Sequence, residues 1–118
     1  MNLLFVCSRN QWRSPTAEQV WARTPKVNVR SAGTSPRARR TINMQDVRWA
    51  DLILVMEHKH SQQVRAEFGN WVRKEAIVVL DIPDDYRFMD PELVSLLSDQ
   101  VATILNSYGI PVTSAHQK

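Results

Sequence analysis

Three short apolar runs constrain this chain most: "NLLFVC" at residues 2–7, "DLILVM" at 51–56 and "EAIVVLD" at 75–81, each followed by polar or helix-compatible sequence. A strand exposed on one face alternates apolar and polar residues, whereas an uninterrupted apolar run belongs to a strand covered on both faces, as in a parallel sheet. Between the runs the helical signals are clear. "SPTAEQVWART" predicts a helix with Ser14 as N-cap and Pro15 at the first helical position. "KVNVRS" alternates like a short second strand, "NMQDVRWA" suits a short helix and "HKHSQQVRAEF" a longer one. A long amphipathic helix is expected from Asp90 as N-cap and Pro91 onward, with Val94, Leu97, Val101, Ile104 and Leu105 on its inner face. Strands alternating with helices imply an α/β fold, a parallel sheet with right-handed crossovers and helices on both faces. At 118 residues one domain is expected, covering 1–106, with a loose tail over 107–118.

In such sheets ligands sit outside the carboxyl ends of the strands, and "CSRNQWRS" lies at one of these ends, between the first strand and the first helix. A loop entering a helix N-terminus can curl its backbone N–H groups around an anion, here those of Ser8, Arg9, Asn10, Gln11 and Trp12. Cys7 at its floor feels the same field, which favours thiolate over thiol. Arg13 can hold two oxygens of a phosphoryl group, and Ser14 can donate its hydroxyl to the thiolate. Asn10 tolerates a positive φ and can fix the loop through its side chain. Cys7 is the chain's single cysteine, so neither an internal disulfide nor a multi-thiolate metal site is available to it. It serves packing or chemistry. The bland reading makes Cys7 a small buried hydrophobe and Arg13 a solvated cation, but the position of the loop favours chemistry.

The net charge of +3 conceals eleven arginines against four lysines, a bias toward planar forks that suit anionic partners. Arg37, Arg39 and Arg40 in "SPRARRT" read as a solvated loop. No basic helix or aromatic and basic interleaving appears, so nucleic-acid binding is not expected. His58 and His60, two apart, lack the i, i+4 spacing of a helical metal pair and read as solvated surface; no metal and no cofactor are expected. The opening "MNLLFVC" is too short for a signal peptide or a membrane span, which makes a cytoplasmic protein without membrane association the expectation. Oligomeric state is left open.

"LLFVCSRNQWRSPTAE", "VRSAGTS", "ADLILVM" and "DIPDDY", in this order, resemble the low-molecular-weight protein tyrosine phosphatase family and its Cys-x5-Arg-Ser signature, over about residues 2 to 106. The resemblance implies a Rossmann-like four-stranded parallel sheet, no metal and a phosphocysteine intermediate. Cys7 then stands for the nucleophile, Arg13 for the phosphate clamp, Ser14 for the hydroxyl supporting the thiolate and Asn10 for the loop-organising asparagine. The family's general acid is an aspartate shortly after the last strand. Among Asp81, Asp84, Asp85 and Asp90, Asp84 fits best, because it precedes Tyr86 as the family aspartate precedes an aromatic lining the cleft, while Asp90 reads as a helix cap. The implied reaction is hydrolysis of a phosphomonoester, with phosphotyrosine on a protein as the family's substrate. A phosphate- or phosphoprotein-binding module without turnover is the alternative.

The chain departs from the family in three places. Arg9 stands where many members have glycine, and Trp12 where many have a second cysteine. The sixteen residues Ser35 to Ala50 replace a longer stretch that carries another helix, so a more open cleft is expected. Tyr86 is followed by Arg87 and Phe88 rather than a second tyrosine. Arsenate reductases of this fold need further cysteines, which this chain lacks.

Overall fold

The computed structural model describes residues 1–112. Four strands, β1 (Asn2–Cys7), β2 (Asn28–Gly33), β3 (Leu52–Val55) and β4 (Ile77–Val79), alternate with four helices, α1 (Arg13–Trp21), α2 (Met44–Trp49), α3 (His58–Phe68) and α4 (Pro91–Ser107). The sheet order is β2-β1-β3-β4 and every pairing is parallel, which is the four-stranded α/β architecture expected. No helix among the described residues is long and apolar enough to cross a membrane.

The central strand explains the apolar runs. Leu3, Leu4, Phe5 and Val6 are all 0% exposed. Leu3, Phe5 and Cys7 pack with Trp21 of α1 and with Leu93, Leu97, Val101 and Leu105 of α4. Leu4 and Val6 face the other way, onto Val47 of α2 and Val64 and Phe68 of α3. Each buried side chain of this size contributes roughly 1.5–3 kcal/mol, so neither face of β1 has room for a polar residue. Its register with β2, Val6 against Ala32 and Cys7 against Gly33, extends β2 two residues past the stretch expected from sequence.

Three local expectations need correcting. Helix α1 starts at Arg13 with Trp12 as N-cap and no side-chain cap, because the Ser14 hydroxyl turns inward to buried partners. The inner stripe of α4 runs through Leu93, Leu97, Val101 and Leu105 at strict four-residue spacing, which leaves Val94 only half-buried on the flank. Asp90 caps α4 as expected, accepting from the Glu92 N–H at 2.9 Å. His60, expected on the solvated surface, is fully buried, because it sits in the first turn of α3, which packs under the loop after β1; His58 is exposed. Past α4, Ile110 N–H donates to the Leu105 carbonyl and Val112 pairs with the Asn106 side chain. Residues 113–118 of the tail expected to be loose lie outside the described residues.

Candidate active site

The loop between β1 and α1 is held by its carbonyls. Those of Cys7, Ser8 and Arg9 accept from the backbone N–H groups of Thr34, Ser35 and Arg39 at 2.9–3.0 Å, and that of Asn10 accepts from Arg39 Nε at 3.1 Å. Among the described residues no protein group accepts from the backbone N–H groups of residues 8–12, which leaves them for an anion. Asn10 takes the left-handed conformation anticipated for it, φ 52°. Gly33 at the end of β2 lets the loop lie flat on the sheet: a Cβ there would be 2.6 Å from the Ser8 carbonyl oxygen and 3.0 Å from Asn10 N.

Beneath the loop runs a buried hydrogen-bond chain. The Asn10 amide Nδ2 donates to Ser14 Oγ and to Ser31 Oγ, both at 2.9 Å. The Ser31 hydroxyl in turn donates to Glu18 Oε1 at 2.5 Å. With a lone pair of Ser14 Oγ taken by Asn10, its single proton has two acceptors in reach, Cys7 Sγ at 3.0 Å and the Ala32 carbonyl at 3.4 Å, and a thiolate at Cys7 is the stronger of the two. Asn10 and Ser14 are 0% exposed and Cys7 3%, so this donor acts without competition from water.

Arg13 is 2% exposed and closes the loop. Its Nη1 donates to Glu57 Oε2 at 2.5 Å and to the Ile82 carbonyl at 2.8 Å. Asp84 Oδ1 lies 3.6 Å from Nε. With Nη1 fully engaged, two oxygens of an anion would have to be gripped by the Nε and Nη2 edge, where the Asp84 carboxylate stands beside Nε. Burial alone would raise the Glu57 carboxyl, but the hydrogen bond and charge of Arg13 outweigh it and hold Glu57 below its ordinary value.

His60 joins the same group. Its Nδ1 accepts the Glu57 backbone N–H at 3.0 Å, so the neutral ring carries its proton on Nε2 and donates to Ser8 Oγ at 2.8 Å. Burial first, and the Arg13 charge second, push its pKa down to about 4. Glu57 and His60 are absent from the residues picked out by sequence. Glu57 had a readable signal, a carboxylate directly after a buried strand on the edge where ligands sit; His60 had none.

A small concavity of about 40 Å³ at the mouth is lined by Cys7, Ser8, Arg9, Gln11, Trp12, Arg13 and Asp84. Of the four aspartates considered from sequence, Asp84 lines this mouth. Asp90 caps α4, Asp81 occupies a left-handed turn at φ 60°, and Asp85 points to solvent. Tyr86 does not line the mouth; it is half-buried, and its hydroxyl donates to Glu92 Oε2 at 2.5 Å, a bond that pushes its pKa up to about 12. The Arg87 guanidinium stands 5.8 Å from the centre of the Trp12 ring and thickens the rim there.

No family model matches the chain. It is 31% identical over 98 residues to the protein-arginine-phosphatase of Bacillus subtilis (strain 168), an alignment covering 60% of this chain and 65% of that protein's length. Its fold superposes with a TM-score of 0.69 on a cysteine-to-serine mutant of the YwlE arginine phosphatase that carries a phosphorylated active-site serine, at 26% identity over 90% of this chain and 96% of that one. It superposes with a TM-score of 0.73 on the low-molecular-weight protein tyrosine phosphatase of Streptococcus pyogenes, at 19% identity over 90% and 91% of the two chains. The chain is thus similar in sequence to a protein-arginine-phosphatase, of which it spans about two thirds, and has the fold of the low-molecular-weight protein tyrosine phosphatases.

Proposed function

We propose that this protein is a cysteine-dependent phosphomonoester hydrolase acting on phosphorylated protein side chains. One observation carries the reading: the Asn10 to Ser14 to Cys7 chain ends on a thiol beneath unpartnered loop N–H groups, with the Nε and Nη2 edge of Arg13 closing the ring. A phosphoryl group in that ring would have its equatorial oxygens on the N–H groups and on Arg13 Nε and Nη2, its phosphorus in line with Sγ.

The Cys7 thiolate attacks phosphorus and forms the S–P bond as the P–O bond of the ester breaks. Asp84, in its acid form, gives its proton to the departing oxygen. Asp84 then takes a proton from water as that water attacks phosphorus. Orthophosphate leaves and the thiolate returns, its charge met by Ser14 Oγ–H and the loop. Phosphotyrosine is the substrate that the family suggests. The curated relative named as a protein-arginine-phosphatase brings in phosphoarginine as a second reading, for which Asp84 would protonate nitrogen in place of oxygen.

The test is hydrolysis of a small aryl phosphate from pH 4 to 9 by the parent, Cys7→Ser and Asp84→Ala, followed by phosphotyrosine and phosphoarginine peptides in competition. The parent should give a bell-shaped profile, Cys7→Ser no turnover, and Asp84→Ala a rate about 10²–10⁴-fold lower with the acid-side optimum lost. A parent that binds phosphate but never turns over would instead make the loop a phosphate-binding module.

A further inference from the structure

The buried imidazole of His60 has no part in the displacement chemistry above, yet it touches the loop that performs it. It enters from α3, a different element from the one that carries the nucleophile. Its Nε2 donates to Ser8 Oγ at 2.8 Å while the Ser8 carbonyl accepts from Ser35 N–H at 2.9 Å, so the residue directly after Cys7 is held from two sides. Its Nδ1 accepts the backbone N–H of Glu57, whose carboxylate in turn holds Arg13. One helical turn, Glu57 to His60, thus touches both ends of the loop.

We propose that His60 is a positioning residue: as a neutral imidazole it fixes Ser8 through Oγ, so that the first N–H of the loop faces the bound phosphoryl group. This rests on the loop being the phosphate site. A histidine this deeply buried, with one nitrogen accepting and the other donating, has both hydrogen bonds made only in a single tautomer. A protonated ring would turn Nδ1 into a donor facing the Glu57 N–H and break the brace. The charged groups around it are Arg13 from α1, Glu57 at the N-cap of α3, Lys59 from α3, and Asp84 from the connection between β4 and α4; burial and Arg13 keep the ring neutral well above about pH 4. The Ser8 contact therefore persists at every pH well above about 4.

Calorimetric binding of inorganic phosphate, together with kcat and KM for an aryl phosphate, decides the matter for the parent, His60→Ala, His60→Gln, Ser8→Ala and the double variant His60→Ala with Ser8→Ala, each well below its melting temperature. His60→Ala should weaken phosphate binding and raise KM about tenfold, Ser8→Ala should match it, and the double variant should be no worse than either single one. His60→Gln, whose amide can still donate to Ser8, should recover most of the loss. Unchanged phosphate affinity and KM in the folded single variants, or losses that add in the double variant, overturn the proposal. If His60→Ala fails to fold, Ser8→Ala removes the same hydrogen bond from a half-exposed position, and parental phosphate binding there is equally fatal. A parent that binds no phosphate overturns both this and the proposed function, whereas a working parent with indifferent variants overturns this alone.

Discussion

Replacing Gly33 with alanine adds a single methyl group at the point where the sheet meets the loop. That Cβ would stand 2.6 Å from the Ala38 Cβ, 2.6 Å from the Ser8 carbonyl oxygen and 3.0 Å from Asn10 N. Carbon atoms in good contact sit about 3.5–4.0 Å apart, so the neighbours must retreat by about 1 Å. Gly33 cannot retreat instead, because its N–H donates to the Arg40 carbonyl at 2.8 Å and its carbonyl accepts from Ile42 N–H at 2.9 Å. The loop has to move. Overpacking of this kind costs about 1–3 kcal/mol, and loosening the Ser8 to Ser35 hydrogen bond adds about 1 kcal/mol. We expect urea unfolding to report a loss of about 2–4 kcal/mol. The same displacement carries Ser8 and Asn10 away from the phosphoryl position, so kcat/KM for an aryl phosphate should fall about a hundredfold. An alanine variant within about 0.5 kcal/mol of the parent, with parental phosphate inhibition, would show that the loop does not rest on this glycine.

Ser14→Ala removes the hydrogen bond to Cys7 Sγ and one of the two acceptors of the Asn10 amide, so kcat should fall about ten- to a hundredfold in steady-state assays, and a parental kcat would remove Ser14 from the mechanism. His60 protonates near its ordinary 6.5 when unfolded but only near about 4 when folded; the unfolded state binds the extra proton between these values, and stability falls by up to about 3 kcal/mol as pH drops from 6.5 to 4. Glu57, held below its ordinary 4.5, contributes stability above that value and loses it as pH falls through its folded value; urea midpoints against pH should flatten between 6.5 and 4 in His60→Gln, and an unchanged slope there would assign the effect elsewhere. Peroxide should inactivate the protein in a manner that dithiothreitol rescues poorly, because the chain has no second cysteine to trap oxidised Cys7 as a disulfide; full recovery of aryl phosphate turnover would contradict this.

Sequence carried the architecture because the strands are buried on both faces: the runs at 3–7 and 52–56 hold no polar residue, and their alternation with helices implies parallel pairing. It carried the loop for a related reason, since Asn10, Ser14 and Cys7 are close in sequence and meet through local geometry. What escaped it came from distant segments. His60 looks solvated in "HKHSQQ" because the flanking residues are, and only the docking of α3 under the loop, fifty-two residues from Ser8, buries it. The inner face of α4 holds Leu97, Val101 and Leu105 as expected and differs at its first position, since Leu93 and Val94 are both apolar and packing in the core, rather than pattern, decides between them. Ser14 carries both a capping residue's chemistry and a thiolate partner's, and the buried alternative prevailed.

The central strand has a kinetic consequence. Hydrogen-bonded in parallel on both edges, to β2 and β3, and sealed on both faces, β1 exposes its amides to solvent exchange only when the whole molecule opens. Cys7 is its last residue. The segment that carries Asp84 is tied at one end by Ile82, whose N–H and carbonyl reach Met56 and Arg13, and at the other by Met89 N–H on Thr16 Oγ1, while Pro83, Asp84, Asp85, Arg87 and Phe88 between them are exposed. Its amides should exchange through local opening, orders of magnitude faster than those of β1. In the proposed mechanism nucleophile and acid thus belong to opposite ends of the stability distribution, Cys7 on the strand that opens last and Asp84 on an exposed segment held between two anchors.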